Sequence, residues 1–326
     1  MSTTIGIDRT ANRGTFEQSL ATPADRRYAE LQTKVLADAG VAARSRFVSL
    51  AKPSVRTHLL EVGSGAPVVL VHGGAGFAAE WAGIMKPLAE RYALFAPDRP
   101  GNGLSDPFDY RNIDLRAHAV DYIGSLLDAL ELPRASLVGS SMGGYWSIAF
   151  ALAHPERVER LVLVGAPAGL DRWVPPFMRL LGIPVVNRLI YATIARPSLA
   201  STREVYRQIC VADIDKVPPD LLQLAHLSET QPGAVDSWLT MLERFLTMRG
   251  QRRELIVRHE LPRLAAPTLF AWGDRDAFAP PASGQTASAT MKDARVEVVE
   301  GAAHLVHLDQ PGRVAALVGD FLGAVR

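Results

Sequence analysis

The chain has 326 residues, 48% of them hydrophobic, and a formal net charge of +1 at pH 7. That length suits one large α/β domain with an insertion, or two modest domains, with a core that needs neither disulfides nor metals. The near-neutral balance gives no reason to expect nucleic acid or a membrane as partner. The single cysteine, Cys210, excludes an intramolecular disulfide and a cysteine-based zinc site. An isolated cysteine in a helix-like stretch reads as a small buried hydrophobe.

Residues 1 to about 18 are polar and read as a mobile extension without the apolar core of a secretory signal. No window reaches the ~18 apolar residues of a membrane helix. The expectation is a cytoplasmic protein. Residues 23–39 predict a helix started by Pro23 and stopped by Gly40, appended before the first strand. Runs at 45–50, 55–62, 67–72, 92–97, 135–140, 160–165, 267–272 and 295–300 read as strands. Most are short, apolar and β-branched, as fully buried parallel strands are. Helices are expected between them, notably at 114–130, 142–153, 281–291 and 312–325. Strands alternating with helices predict an α/β fold, a mostly parallel central sheet covered on both faces.

Residues 168–261 break that rhythm. The segments 201–213, 218–228 and 232–249 look helical and amphipathic, and no buried-strand run occurs before 267. The expected organisation is an extension at 1–44, a core built from 45–167 and 262–326, and a helical cap at 168–261 inserted after the sixth core strand.

The chemistry gathers at the ends of the strands. Leu137-Val138-Gly139-Ser140-Ser141-Met142-Gly143-Gly144 places a Gly-x-Ser-x-Gly pattern between a strand and a helix. A turn that sharp needs small residues two positions either side of Ser141, and it presents the hydroxyl at a helix N-terminus. His72-Gly73-Gly74 follows an earlier strand. Together with the N–H of Met142, the N–H of Gly74 is expected to form an oxyanion hole. His72 itself reads as a structural residue that holds this loop by hydrogen bonds.

A serine hydroxyl is a weak nucleophile without a base. His304 follows the strand at 295–300 behind small residues. His307 competes, but sits where a helix begins. Asp274 and Asp276 follow the preceding strand, and one of them should orient the histidine; Asp276 is preferred. The pair of histidines lacks the carboxylate set of a metal site, and the reading needs no metal or cofactor.

In order along the chain stand His72-Gly73-Gly74, the loop Asp98-Arg99-Pro100-Gly101-Asn102-Gly103-Leu104-Ser105-Asp106, the turn around Ser141 and the pair Asp276/His304. With these four signatures the sequence resembles the α/β-hydrolase superfamily, in particular its capped serine esterases and carbon–carbon bond hydrolases. The likeness covers about 45–167 and 262–326. Asn102 stands where the family often has a histidine, in a loop that is structural there. The spacing Gly273-x-x-Asp276-x-x-x-Pro280 resembles the family's acid loop and supports Asp276 over Asp274. The resemblance implies a triad of Ser141, Asp276 and His304.

Trp173 and Phe177 in the cap, Phe77 after the oxyanion loop and Trp146 after the elbow are candidate pocket residues. The expected reaction is hydrolysis of a medium-sized, mostly apolar ester or lactone. The alternative is cleavage of a carbon–carbon bond in a vinylogous diketone, whose carboxylate Arg172, Arg179 or Arg188 would clamp. A non-catalytic small-molecule sensor is a third reading. The expected assembly is a monomer or homodimer, with the N-terminal helix a possible dimer contact.

Overall fold

The computed structural model describes residues 5–6 and 13–324, with side chains from Phe16 onward; the remainder of the expected extension, 1–4 and 7–12, lies outside them. The short elements β1 (Ile5–Gly6) and α1 (Arg13–Gln18) come first. The ring of Phe16, in α1, stacks 5.6 Å from that of Phe47. The next helix, α2 (Pro23–Asp38), starts where Pro23 predicts. Thr22 caps it, its hydroxyl accepting from the Asp25 N–H while the Asp25 carboxylate accepts from the Thr22 N–H. Its apolar face, with Tyr28, Val35 and Leu36, is buried within the chain.

The strands follow as β2 (Arg44–Leu50), β3 (Val55–Val71), β4 (Tyr92–Pro97), β5 (Ala135–Ser140) and β6 (Val158–Val164). The two strands expected at 55–62 and 67–72 are one continuous segment, β3. Its first half pairs antiparallel with β2 and β4, and after Gly63-Ser64-Gly65 it continues along the other edge of β4. Gly63 and Pro67 both register with Ala93, so one segment flanks β4 on both sides. The reversal needs glycine: Gly63 has φ +85, and a Cβ there would collide with the carbonyl of Tyr92. The second half of β3 then pairs parallel with β5, β5 with β6, and β6 with β9 (Thr268–Gly273), which pairs with β10 (Ala294–Val299).

Helices α3 (Ala82–Ala89), α4 (Leu115–Ala129) and α5 (Met142–Ala153) connect these strands, and α11 (Pro281–Ser288), α12 (Val306–Asp309) and α13 (Pro311–Gly323) follow β9 and β10. Two apolar layers result. One places Tyr122, Trp146 and Phe150 against the sheet with Leu137 and Phe270; the other places Tyr28, Trp81, Met85 and Val318 against Leu70 and Leu269. Burying a side chain such as Phe150 or Phe270 completely stabilises the fold by about 1.5–3 kcal/mol.

Between β6 and β9 lie α6 (Pro176–Leu180), α7 (Val186–Thr193), α8 (Leu199–Val205), α9 (Pro219–Glu229) and α10 (Ala234–Phe245). The insertion is not wholly helical. The helix expected to run to 249 ends at Phe245, and a small hairpin pairs β7 (Leu246–Thr247) with β8 (Gly250–Gln251). Gly250, at φ +99, lies against the Arg172 carbonyl, an approach a side chain would block. The stretch expected as helix 201–213 loosens after α8 into one π-type turn, Tyr206–Cys210.

Candidate active site

β5 delivers the chain to Ser140, and α5 begins at Met142. Between them Ser141 has φ +51 and ψ −114, a conformation that non-glycine residues rarely hold. The neighbours explain how it persists. A Cβ on Gly139 would lie 2.5 Å from the Gly143 carbonyl oxygen, and one on Gly143 would run into the carbonyl of Val71. Only two glycines let the turn close this tightly. Met142, as the first residue of α5, has no intrahelical partner for its N–H.

His304 and Asp276 come together from the loops after β10 and β9. Nδ1 of His304 lies 3.0 Å from both carboxylate oxygens of Asp276. The N–H of Ala166 donates to Asp276 Oδ2 at 2.8 Å and that of Phe278 to Oδ1 at 2.9 Å. Burial pushes this carboxyl's pKa up, but the imidazole of His304 and these hydrogen bonds prevail and hold it below the ordinary value. The Phe278 ring covers the imidazole at 4.2 Å. Asp274 instead accepts from the Ala302 N–H at 3.1 Å and fixes the loop. His307 is in α12, stacked on Trp81 at 4.2 Å and 3.7 Å from Glu80, away from Asp276. Among the described residues no hydrogen bond holds the Ser141 hydroxyl.

The loop after β3 is held from behind. His72 Nδ1 donates to the Gly73 carbonyl at 2.9 Å, and the Arg99 N–H donates to His72 Nε2 at 2.8 Å. One ring nitrogen donates and the other accepts, so this histidine is neutral. Burial, aided by the Arg99 charge, lowers its pKa to about 4. Arg99 is fully buried. Its Nη2 donates to the Gly74 carbonyl at 2.7 Å and also to that of Gly73. In a trans peptide the N–H points opposite to the carbonyl. With the Gly73 carbonyl turned to Arg99, the Gly74 N–H of the same peptide is turned away from it. Gly74 and Met142 line one cavity with Ser141 and His304.

That cavity is mostly apolar, with Leu170, Val174, Met178, Leu242, Phe245 and Trp272 in its wall. No lysine or arginine lines it among the described residues. Its carboxylates are Glu80, Asp171 and Glu229. Asp171 is neutralised by Arg258 at 2.7 Å. Glu229 accepts from the Thr202 hydroxyl at 2.9 Å, and burial raises its pKa to about 7.

Of the aromatic residues expected to line the pocket, Trp173 does. Phe77, Trp146 and Phe177 do not. Phe77 is fully buried in the layer beneath the loop. Trp146 points from α5 into the opposite layer, edge-on to His118 and Tyr122. Phe177 is 50% exposed on α6, where Met178 takes the inward position. The three arginines suggested as a carboxylate clamp are elsewhere: Arg172 and Arg179 donate to the carbonyls of Gln251 and Val174, and Arg188 pairs with Glu243. Trp238, Phe278, Glu80, Glu229 and the loop-holding Arg99 carried no motif that singled them out.

A family model described as the alpha/beta hydrolase fold matches residues 66–311. The chain belongs to the α/β-hydrolase family. Among curated relatives of this hydrolase is 2-hydroxymuconate semialdehyde hydrolase of Pseudomonas sp. strain CF600, 32% identical over 82% of the chain and 90% of the relative. Another is 2-hydroxy-6-oxo-2,4-heptadienoate hydrolase of Pseudomonas putida, 30% identical over 83% and 94%. Among solved structures, the meta-cleavage product hydrolase of Pseudomonas fluorescens IP01 aligns with TM-score 0.70 at 27% identity, over 85% of this chain and 97% of that one. Carboxylesterase CesB of Bacillus subtilis aligns with TM-score 0.75 at 22% identity, over 93% and 100%, a likeness of fold.

Proposed function

We propose that this hydrolase cleaves a medium-sized, mostly apolar carboxylic ester or lactone through an acyl-enzyme on Ser141. His304 takes the hydroxyl proton as the serine oxygen attacks the carbonyl. The N–H groups of Gly74 and Met142 stabilise the tetrahedral oxyanion, and Asp276 holds the imidazole in its useful tautomer. Collapse expels the alcohol, which takes the proton from His304. Water, deprotonated by the same imidazole, then releases the acid. The insertion at 168–261 acts as the cap that roofs the cavity.

The observation that carries the ester reading is the cavity's chemistry. Its wall is apolar, and among the described residues no lysine or arginine lines it to pair with a substrate carboxylate. A second reading, carbon–carbon bond cleavage in a vinylogous diketone, draws its support from the names of the relatives at 30–32% identity. Both use the same triad.

The test is a parallel assay of the wild type and Ser141→Ala on p-nitrophenyl esters from acetate to decanoate and on a meta-ring-cleavage dienone acid. Ester turnover that exceeds dienone turnover and vanishes with Ser141 supports the ester reading. Dienone cleavage with negligible ester turnover overturns it in favour of the second. Stoichiometric binding without turnover of either would leave only a sensor.

A further inference from the structure

The insertion shows solvent a surface that the rest of the molecule avoids. Nine of the eleven large apolar side chains exposed among the described residues fall between Trp173 and Val205. Val185, Leu189 and Ile194 are 74%, 62% and 86% exposed. Single exposed apolar residues need no explanation, but a concentrated set marks an interaction surface.

Helix α7 is turned inside out. Asn187 is fully buried, donating to the Leu181 carbonyl and to Glu243, and Arg188 meets the same carboxylate. Tyr191, one turn on from Asn187, lines an inner pocket. Val186 and Leu189 face outward instead. A helix on a water-facing surface points its apolar stripe at the core; here the polar side points in and the apolar side out.

The charge of this stretch is one-sided. From 172 to 205 the sequence has five arginines and one acid, Glu204, which is paired with Arg207. Arg188 and Arg203 are paired with Glu243 and Asp215. Arg172, Arg179 and Arg196 donate to backbone carbonyls and have no carboxylate partner among the described residues. The outer surface also runs into the cavity. Trp173 and Val205, 49% and 45% exposed, line the space that holds Ser141.

We propose that residues 173–205 dock on an anionic phospholipid surface. The exposed apolar side chains enter the boundary between headgroups and acyl chains, and Arg172, Arg179 and Arg196 meet the phosphates. A second copy fits this face poorly, because a two-fold contact would set the unpaired arginines against one another. The inference reverses the expectation drawn from net charge: a total of +1 averages away three arginines, Arg172, Arg179 and Arg196, that have no carboxylate partner among the described residues. Docking is interfacial, since no helix among the described residues is long and apolar enough to cross a membrane. The inference is independent of the chemistry at Ser141.

The test uses the full chain carrying Ser141→Ala, so that no turnover is needed, in flotation with vesicles of phosphatidylglycerol or of phosphatidylcholine. Binding to phosphatidylglycerol is expected to exceed binding to phosphatidylcholine by about 10-fold or more at low salt and to weaken as salt screens the arginines. Leu189→Glu with Ile194→Glu should remove binding to both vesicles. Because these side chains are exposed, the variant's melting temperature should match its parent's. Arg179→Gln with Arg196→Gln should weaken binding to phosphatidylglycerol about 10-fold while leaving phosphatidylcholine unchanged. No binding to phosphatidylglycerol at low salt, or equal binding by parent and both variants, overturns the proposal. So does a wild-type dimer, measured by light scattering, that Leu189→Glu with Ile194→Glu splits without any vesicle binding in the parent; the face would then join two copies.

Discussion

The guanidinium of Arg99 reaches the carbonyl oxygen of Gly74 at 2.7 Å from a fully buried position. Among the described residues it makes no salt bridge to a carboxylate; loop carbonyls and the face of Trp146, 4.8 Å away, surround it, and Glu80 acts on it from a distance. A buried charge with no salt-bridge partner is costly, so its place beside the candidate nucleophile has a mechanistic reading. On the proposed mechanism, its bond to the Gly73 carbonyl holds the peptide whose N–H, that of Gly74, meets the oxyanion. Arg99→Met should lower kcat by about 10–100-fold, less than outright loss of an oxyanion donor at 10²–10³-fold, with a smaller change in KM. Steady-state kinetics on the best ester, alongside a thermal melt, check this. A pure rise in KM, or a loss explained wholly by unfolding, would give Arg99 a structural role alone.

Asp276 accepts from three donors, the N–H groups of Ala166 and Phe278 and the imidazole of His304, which hold its pKa below the ordinary value. Asp276→Asn keeps the shape but favours the wrong imidazole tautomer. A fall in kcat of about 10³–10⁴-fold at pH 7 is expected. Asp274→Asn, which touches only the Ala302 N–H, should cost less than about 10-fold.

The backbone at Ser141, with φ +51, stores strain of about 1–3 kcal/mol. Glycine releases that strain and alanine does not. Ser141→Gly and Ser141→Ala should both abolish turnover, and only the glycine variant should melt at a higher temperature than the wild type. Equal melting temperatures for the two variants would show that the turn carries no strain.

Burial raises the folded-state pKa of Glu229 from the ordinary 4.5 to about 7, so between these values the folded chain binds more protons than the unfolded one. Its contribution to stability is present below pH 4.5 and lost as pH rises through 7. Glu229→Gln, which remains neutral, should therefore raise the melting temperature at pH 8 by a degree or more relative to the wild type. At pH 4.5 the gain should shrink. Melts of both proteins across this range check it, and a gain independent of pH would contradict it.

The core was legible because its strands are short β-branched runs and its candidate catalytic groups sit where those runs stop. Gly139 and Gly143 announce the turn at Ser141, and small residues announce His304. What stayed hidden depended on direction rather than position. Phe77 and Trp146 lie next to site residues in sequence, yet their side chains point into opposite apolar layers. Arg99 was hidden because an arginine in a polar loop reads as solvated. The double use of β3 around β4 rests on a reversal at Gly63, which sequence shows only as a turn. The exposed face of α7 was hidden for the same reason as Trp146: a short apolar helix does not say which side meets the protein.

The central claim is that Ser141 becomes acylated by an apolar ester. The measurement that tests it most directly is intact and peptide mass spectrometry of the chain quenched early in turnover of p-nitrophenyl hexanoate. The account predicts one hexanoyl group per chain, located on the peptide containing Ser141, absent from Ser141→Ala and accumulating in Asp276→Asn if deacylation slows more than acylation. Ester turnover that persists undiminished in Ser141→Ala, or an acyl group found on another residue such as Cys210, would contradict it.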